Sequence, residues 1–360
     1  MPPRPVVVKV GSSTIVDERG RLRRRRLEAI ATDVAEANVA GTPTCIVSSG
    51  AIALGLGSLG RTTRPRRVSE LQAAAAVGQG ILQRAWEAAV ARHGARAAQV
   101  LLTAGDVRHR ATYVNARATL ETLLAWHVVP VVNENDSTAT DEITFGDNDA
   151  LAAQVAVLTH ARLLVLLTDQ EGLYTRDPRR PGAELVREVN DHRLLDELEV
   201  GGTGSEWGSG GMRSKVVAAE MASAGGVATV IAHGALDGVV AAAIAGDGVG
   251  TRFRADERAV SSFKLWIRYG RPAAGRIEVD AGARRAVERD GGSLLPVGVT
   301  GATGRFGIGD AVEIADPGGE VFARGLADQA VGEVRRRAGQ RGGEPAVHRD
   351  NLVLLRSSPI

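Results

Sequence analysis

Short apolar runs recur along the first two thirds of the chain, and most of them stop at a cluster of glycines or small polar residues. Val6-Val7-Val8-Lys9-Val10 leads into Gly11-Ser12-Ser13-Thr14, and Thr44-Cys45-Ile46-Val47 leads into Ser48-Ser49-Gly50-Ala51. Val128-Val129-Pro130-Val131-Val132 ends at Asn133-Glu134-Asn135-Asp136, and the run 163–167 ends at Thr168-Asp169. Further strands are predicted over 97–102 and 229–232. Continuous runs of this length fit strands buried on both faces of a parallel sheet. Helical periodicity fills the intervals at 23–40, 70–92, 113–126, 149–158, 212–224 and 238–245. Strands alternating with helices predict an α/β fold with a mainly parallel sheet. In such sheets ligands sit beyond the carboxyl ends of the strands, so the polar clusters are the candidate site.

The pattern changes after about residue 251. The stretch 254–262 is polar and linker-like, and from Gly275 short β segments alternate with glycine turns at 276–279, 293–295, 311–314 and 321–325. This predicts a small β-barrel. The expected division is a catalytic domain over 1–255, a linker over 256–274 and a second domain over 275–355. A length of 360 residues with 44% hydrophobic content supports that plan, and a net charge of +2 demands no polyanionic partner. Cys45 is the single cysteine, so no internal disulfide forms. No apolar run is long enough to span a bilayer and none reads as a signal peptide, so a cytoplasmic, membrane-free protein is expected.

Charge usage adds a sharper observation. Of 44 Lys and Arg residues only Lys9, Lys215 and Lys264 are lysines. Arginine serves as the generic surface cation, so a retained lysine marks a place that needs a compact, mobile point charge. Lys9 ends a strand before a tight polar loop whose N–H groups can form an anion nest. Lys215 follows the loop Gly208-Ser209-Gly210-Gly211-Met212-Arg213-Ser214 and opens a helix, a setting suited to phosphates. That loop lacks the Gly-Lys-Ser/Thr ending of a P-loop. Gly55-Leu56-Gly57-Ser58-Leu59-Gly60 matches a dinucleotide fingerprint as text, but it follows a helix-like stretch instead of a strand and is rejected. Arg23-Arg24-Arg25-Arg26 lacks interleaved aromatics and reads as a solvated face or interface, and Arg335-Arg336-Arg337 reads as a basic patch on the second domain.

Two acidic clusters, Asn133-Glu134-Asn135-Asp136 and Gly146-Asp147-Asn148-Asp149, flank one short polar loop. Either alone reads as caps and turns. Together they offer a place for an ammonium group, a substrate's polar end or a metal. Two lysines, several N–H nests and these carboxylates converge on phosphoryl transfer, which works by positioning and charge neutralisation. None of these motifs holds a histidine base. That favours an acceptor already ionised, such as a carboxylate of pKa ~4.3.

Several stretches carry a resemblance: Val8-Lys9-Val10-Gly11-Ser12-Ser13, Ser49-Gly50-Ala51-Ile52, Val132-Asn133-Glu134-Asn135-Asp136, Gly146-Asp147-Asn148-Asp149, Leu167-Thr168-Asp169-Gln170-Glu171-Gly172-Leu173-Tyr174 and Gly210-Gly211-Met212. The chain resembles the bacterial glutamate 5-kinases of the amino acid kinase family. Ser293-Leu294-Leu295-Pro296 and Arg305-Phe306-Gly307-Ile308-Gly309-Asp310 resemble a PUA domain. The resemblance implies an αβα sandwich and ATP- and Mg²⁺-dependent phosphorylation of the L-glutamate side chain, the first step of proline synthesis. It implies that Lys9 and Lys215 stabilise the transferring group and that Asp149 orients them. Ser49, Asp136 and Asn148 would bind glutamate with Asn133 as helper. Gly11 and Gly50 would offer N–H groups to phosphate. Thr168, Asp169 and Ser209-Gly210-Gly211-Met212-Arg213-Ser214-Lys215 would line the ATP site. Magnesium would be held mainly by the ATP phosphates. Proline inhibition, a homo-oligomer (dimer or tetramer), and contact with the next enzyme of the proline pathway are further implications. The residues alone leave open a kinase for aspartate, N-acetylglutamate, UMP or carbamate, or a protein that binds RNA through its PUA-like domain.

Overall fold

The computed structural model describes residues 3–61, 63–103, 106, 110–138, 147–190, 211–256, 264, 267–268 and 273–355. The chain divides into two compact units, residues 1–259 and 260–360. In the first, the elements follow in the order β1 (Val6–Val10), α1 (Ser12–Ile15), α2 (Arg24–Val39), β2 (Thr44–Ser48), α3 (Ala51–Ser58), α4 (Val68–Ala91), β3 (Arg96–Leu102), α5 (Arg110–Ala125) and β4 (Val128–Glu134). There follow α6 (Asp147–Leu158), β5 (Leu163–Thr168), β6 (Glu188–Val189), α7 (Met212–Ala224), β7 (Ala228–His233), α8 (Val239–Ala245) and β8 (Thr251–Phe253).

These strands form one sheet in the order β3-β4-β2-β1-β5-β7-β8-β6. The six strands from β3 to β7 are parallel neighbours, as their continuous apolar runs predict. β8 is antiparallel to β7 and is paired in turn by β6. The apolar pattern missed both strands, because runs of two and three residues carry too little periodicity to register.

Strand pleat decides what β1 offers to each side. Val6, Val8 and Val10 enter the core cluster that contains Ile30 and Val34 of α2, Leu82 and Trp86 of α4, and Val240 and Ala243 of α8. Side chains alternate, so Val7 and Lys9 face the opposite layer. That layer is α6 and α7, which pack on each other and on β1, β5 and β7. The result is an αβα sandwich. Cys45 sits fully buried in β2, and burial alone pushes its thiol pKa up.

Two glycines of the triplet at 55–60 serve packing; a Cβ on the third, Gly60, would meet nothing within 4 Å. Gly55 and Gly57 lie inside α3, which runs against α4. A Cβ on Gly55 would stand 1.8 Å from the Ala74 carbonyl oxygen, and one on Gly78 of α4 would stand 1.8 Å from that of Ala51. The two backbones therefore touch where only glycine fits.

The second unit contains β9 (Gly275–Val279), α9 (Ala281–Asp290), β10 (Val299–Gly304), β11 (Ala311–Ala315), β12 (Val321–Leu326), α10 (Val331–Arg337) and β13 (Leu352–Leu354). Its five-stranded sheet runs β10-β9-β11-β12-β13 and encloses a separate core around Ile277, Val312, Ile314 and Phe322. The expected strand at 293–295 contributes only a bridge from Leu294 to Val347, and β10 pairs with β9 instead. α9 went unforeseen: Asp280 caps it by accepting from Ala283 N at 2.7 Å, and Val287 is its only fully buried side chain.

Candidate active site

Three charged side chains meet where β1, α6 and α7 come together. Lys9, next to last in β1, reaches out of the sheet on the α6 side. Asp149 lies in the first turn of α6, and Lys215 in the first turn of α7. Lys9 Nζ is 2.5 Å from Asp149 Oδ1, and Lys215 Nζ is 3.2 Å from Asp149 Oδ2. Ser214 donates its hydroxyl to Asp149 Oδ2 at 2.7 Å and is also 2.9 Å from the Gly211 carbonyl. All three charged residues are buried, at 5%, 1% and 7% exposure for Lys9, Asp149 and Lys215.

The electrostatics follow from burial and pairing. Burial is the largest influence on Lys9 and lowers its pKa; Asp149 opposes that and Lys215 adds to it. Burial pushes the Asp149 carboxyl up, but the two lysine charges and the hydrogen bonds from Lys9 and Ser214 outweigh it and hold the carboxyl below its ordinary value. Asp149 is therefore an anion shared by two ammonium groups, and together the three side chains carry one net positive charge. Excess buried charge is costly unless an opposite charge arrives. The N-termini of α6 and α7 add their positive dipole ends to the same place. This is a receptor for an anion.

A second cluster, made of amides, adjoins it in sequence and in space. Asn148, immediately before Asp149, donates from Nδ2 to Ser49 Oγ at 2.9 Å and to Asn133 Oδ1 at 3.0 Å. Asn133 lies at the carboxyl end of β4 and is buried, 2% exposed. Its Oδ1 also accepts from the Glu134 backbone N–H at 2.9 Å. Its Nδ2 donates to Gln79 Oε1 of α4 at 2.8 Å. Ser49 follows β2, and Gly50 after it takes the left-handed φ of +113° that lets α3 start there.

The sequence-predicted residues thus fall into groups. Lys9, Lys215 and Asp149 meet directly, as do Ser49, Asn133 and Asn148. Gly11 lies two residues past Lys9, and a Cβ there would lie 3.7 Å from Lys9 Nζ. Thr168 and Asp169 stand at the end of β5, the neighbour of β1, with the Thr168 hydroxyl on Asp169 Oδ1 at 3.1 Å. Asp136 lies three residues beyond Asn133, half-buried, and its charge acts on the Arg64 guanidinium. Met212 is buried and Arg213 exposed. Ser209, Gly210 and Gly146 lie outside the described residues. Sequence reasoning missed Gln79, and it missed that Ser214 bonds Asp149.

Comparison with known proteins adds to this geometry. Residues 4–233 match the amino acid kinase family and residues 275–347 match the PUA domain. The chain is 44% identical over 362 residues to a glutamate 5-kinase of Pelobacter propionicus, covering 97% of each chain. It is 45% identical over 364 residues to a glutamate 5-kinase of Ralstonia nicotianae, covering 98% of this chain and 97% of that one. It is 46% identical over 364 residues to a glutamate 5-kinase of Myxococcus xanthus, covering 98% and 96%.

Proposed function

The chain belongs to the amino acid kinase family and, within it, to the glutamate 5-kinases, and we propose that Lys9, Lys215 and Asp149 carry the phosphoryl transfer while Ser49, Asn133, Asp136 and Asn148 hold the acceptor. The reaction is ATP-dependent phosphorylation of the L-glutamate side chain. A carboxylate oxygen attacks the γ-phosphorus of ATP and the bond to the bridging oxygen breaks. ADP leaves with that electron pair, and L-glutamyl 5-phosphate remains.

The observation that carries the assignment is the anion receptor made by two buried lysines on one aspartate. Positive charge on both sides of Asp149 suits the negative oxygens of a phosphoryl group in flight. Asp149 keeps the two ammonium groups from repelling each other out of position. No base is required, because a carboxylate of pKa ~4.3 is ionised at neutral pH. Thr168, Asp169 and the stretch from Ser209 to Lys215 line the nucleotide, and Gly11 and Gly50 give N–H groups to its phosphates.

The donor set fits a magnesium ion that arrives on the nucleotide. Among the described residues no three His, Cys, Asp or Glu side chains cluster, and both oxygens of Asp149 are engaged by lysines. When bound, the metal neutralises charge on the phosphate oxygens.

The wider role in this reading is the first step of proline synthesis, in the cytoplasm, by a homo-oligomer, dimer or tetramer. L-proline is its feedback inhibitor, and the next enzyme of the pathway is a partner. Among the described residues no helix is long and apolar enough to cross a membrane. RNA is at most a secondary ligand of the PUA domain: Arg335 donates to the Ala302 carbonyl, and Arg336 and Arg337 pair with Glu333.

The test is ADP release with ATP and Mg²⁺ on L-glutamate, L-aspartate, N-acetyl-L-glutamate, UMP and carbamate, with and without L-proline. Turnover on glutamate alone, reduced by proline, is expected. Turnover on another member would leave the phosphate site standing and overturn the assignment of the amide cluster.

A further inference from the structure

The amide cluster has a direction, and one atom sets it. A backbone N–H can only donate, so the Glu134 N–H at 2.9 Å fixes Asn133 Oδ1 as an acceptor. The Nδ2 of Asn133 is then the end that meets Gln79, and Gln79 must present Oε1 to it, at 2.8 Å. Because Asn133 Oδ1 is an acceptor, Asn148 must present Nδ2 to it, and that same Nδ2 reaches Ser49 Oγ. Beside Gln79 Nε2, a buried donor without a partner, two groups are left with one sense each. Asn148 Oδ1 is an acceptor, buried and without a partner. The Ser49 hydroxyl, already accepting, keeps its proton to donate.

Glutamate is the complement of that pair. Its only donor is the ammonium group, and its two carboxylates only accept. Leaving a buried acceptor unmade is expensive, and the substrate's ammonium is a donor that can satisfy it. A hydroxyl donor beside it meets a carboxylate.

We propose that Gln79 is a positioning residue for the substrate: by accepting from Asn133 Nδ2 it adds to the Glu134 N–H a second restraint on the direction of the Asn133–Asn148–Ser49 chain, so that Asn148 offers an oxygen, not an NH₂, to the substrate ammonium. This rests on the placement of glutamate at Ser49 and Asn148. Without the acceptor on Gln79, Asn133 has no bond on its Nδ2 side to resist rotation. The Glu134 N–H is then the single hydrogen bond that orients Asn133, and Asn148 is held less firmly with its Oδ1 free. A flipped Asn148 would set NH₂ against an ammonium, donor against donor.

The experiment is steady-state kinetics on the full-length protein, with glutarate as a competitive inhibitor that lacks the ammonium. Gln79→Met removes the acceptor at similar volume. It should raise the glutamate KM about tenfold, the size of one lost hydrogen bond, and leave the ATP KM and the glutarate Ki near their starting values. Gln79→Glu, whose carboxylate accepts from Asn133 Nδ2, should restore the glutamate KM to within about threefold, since that bond is retained. If Gln79→Met does not fold, Gln79→Ala removes the same acceptor without adding bulk and carries the same comparison. Glutamate and glutarate weakening equally, or Gln79→Glu behaving like Gln79→Met, would overturn the positioning role. Asn148→Ala is the control for the underlying placement: an unchanged glutamate KM there would remove both the placement and the proposal. A raised KM in Asn148→Ala with no effect of Gln79→Met would remove the proposal alone.

Discussion

Asp149 is the least replaceable side chain in this site, because one carboxylate answers two ammonium groups. Asp149→Asn keeps the shape and removes the charge. It should lower kcat by about 10²–10³-fold, in line with the loss of one preorganised electrostatic group. Its pH profile should move as well. In the proposed role Lys9 acts as an ammonium; burial lowers its pKa, and Asp149 opposes that lowering. Activity therefore falls as pH rises through the Lys9 pKa, and without Asp149 that fall should begin at lower pH. An alkaline limb that stays in place in Asp149→Asn would mean that Lys9 is not the group being titrated. Lys9→Arg should be nearly as damaging to kcat with the fold intact, since a planar guanidinium cannot replace a point charge in a buried pocket. Asp136→Ala should chiefly raise the glutamate KM, as removal of ground-state binding does. The lysines were legible in the sequence because the chain uses arginine almost everywhere else. Gln79 was not: it lies in an alanine-rich helix and meets Asn133 across 54 residues, and no local pattern encodes a contact of that range.

Between residues and fold stand the two helices that carry Ser49 and Gln79 toward each other. α3 begins just past Ser49, and α4 holds Gln79 beside Gly78, whose absent Cβ lets α4 sit on the Ala51 carbonyl. On helix propensity alone Gly78→Ala would gain about 1 kcal/mol. The 1.8 Å approach reverses the sign, and overpacking of this kind costs about 1–3 kcal/mol or more. Gly78→Ala should thus lower the midpoint of denaturant unfolding and raise the glutamate KM together, because it pushes α3 and α4 apart at the amide cluster. A stabilised variant with an unchanged KM would show that the contact relaxes freely. The long strands and helices of the sandwich could be read from apolar runs and periodicity. β6, β8 and α9 could not, being two or three residues long or half charged, and the meaning of Gly55 and Gly57 emerged only with α4 packed on the first and the Gly20 backbone on the second.

Among the described residues the core around β1 and β5 shares no residues with the core around Ile277 and Phe322. Each encloses its own sheet, which is the usual condition for independent folding. A fragment of residues 1–259 should therefore unfold in one cooperative thermal transition and retain measurable ADP release with glutamate. A fragment that melts without cooperativity would show that the second unit is needed to complete the first. Cys45 offers a way to watch the larger core directly. It is the chain's single cysteine, fully buried in β2 between the strands that carry Lys9 and Asn133, with its thiol held protonated by burial. A disulfide reagent added to the intact protein can modify it only during moments when the sheet opens. The labelling rate is thus a built-in stopwatch for breathing at the heart of the enzyme, and it should slow when ATP and glutamate occupy the strand ends above it.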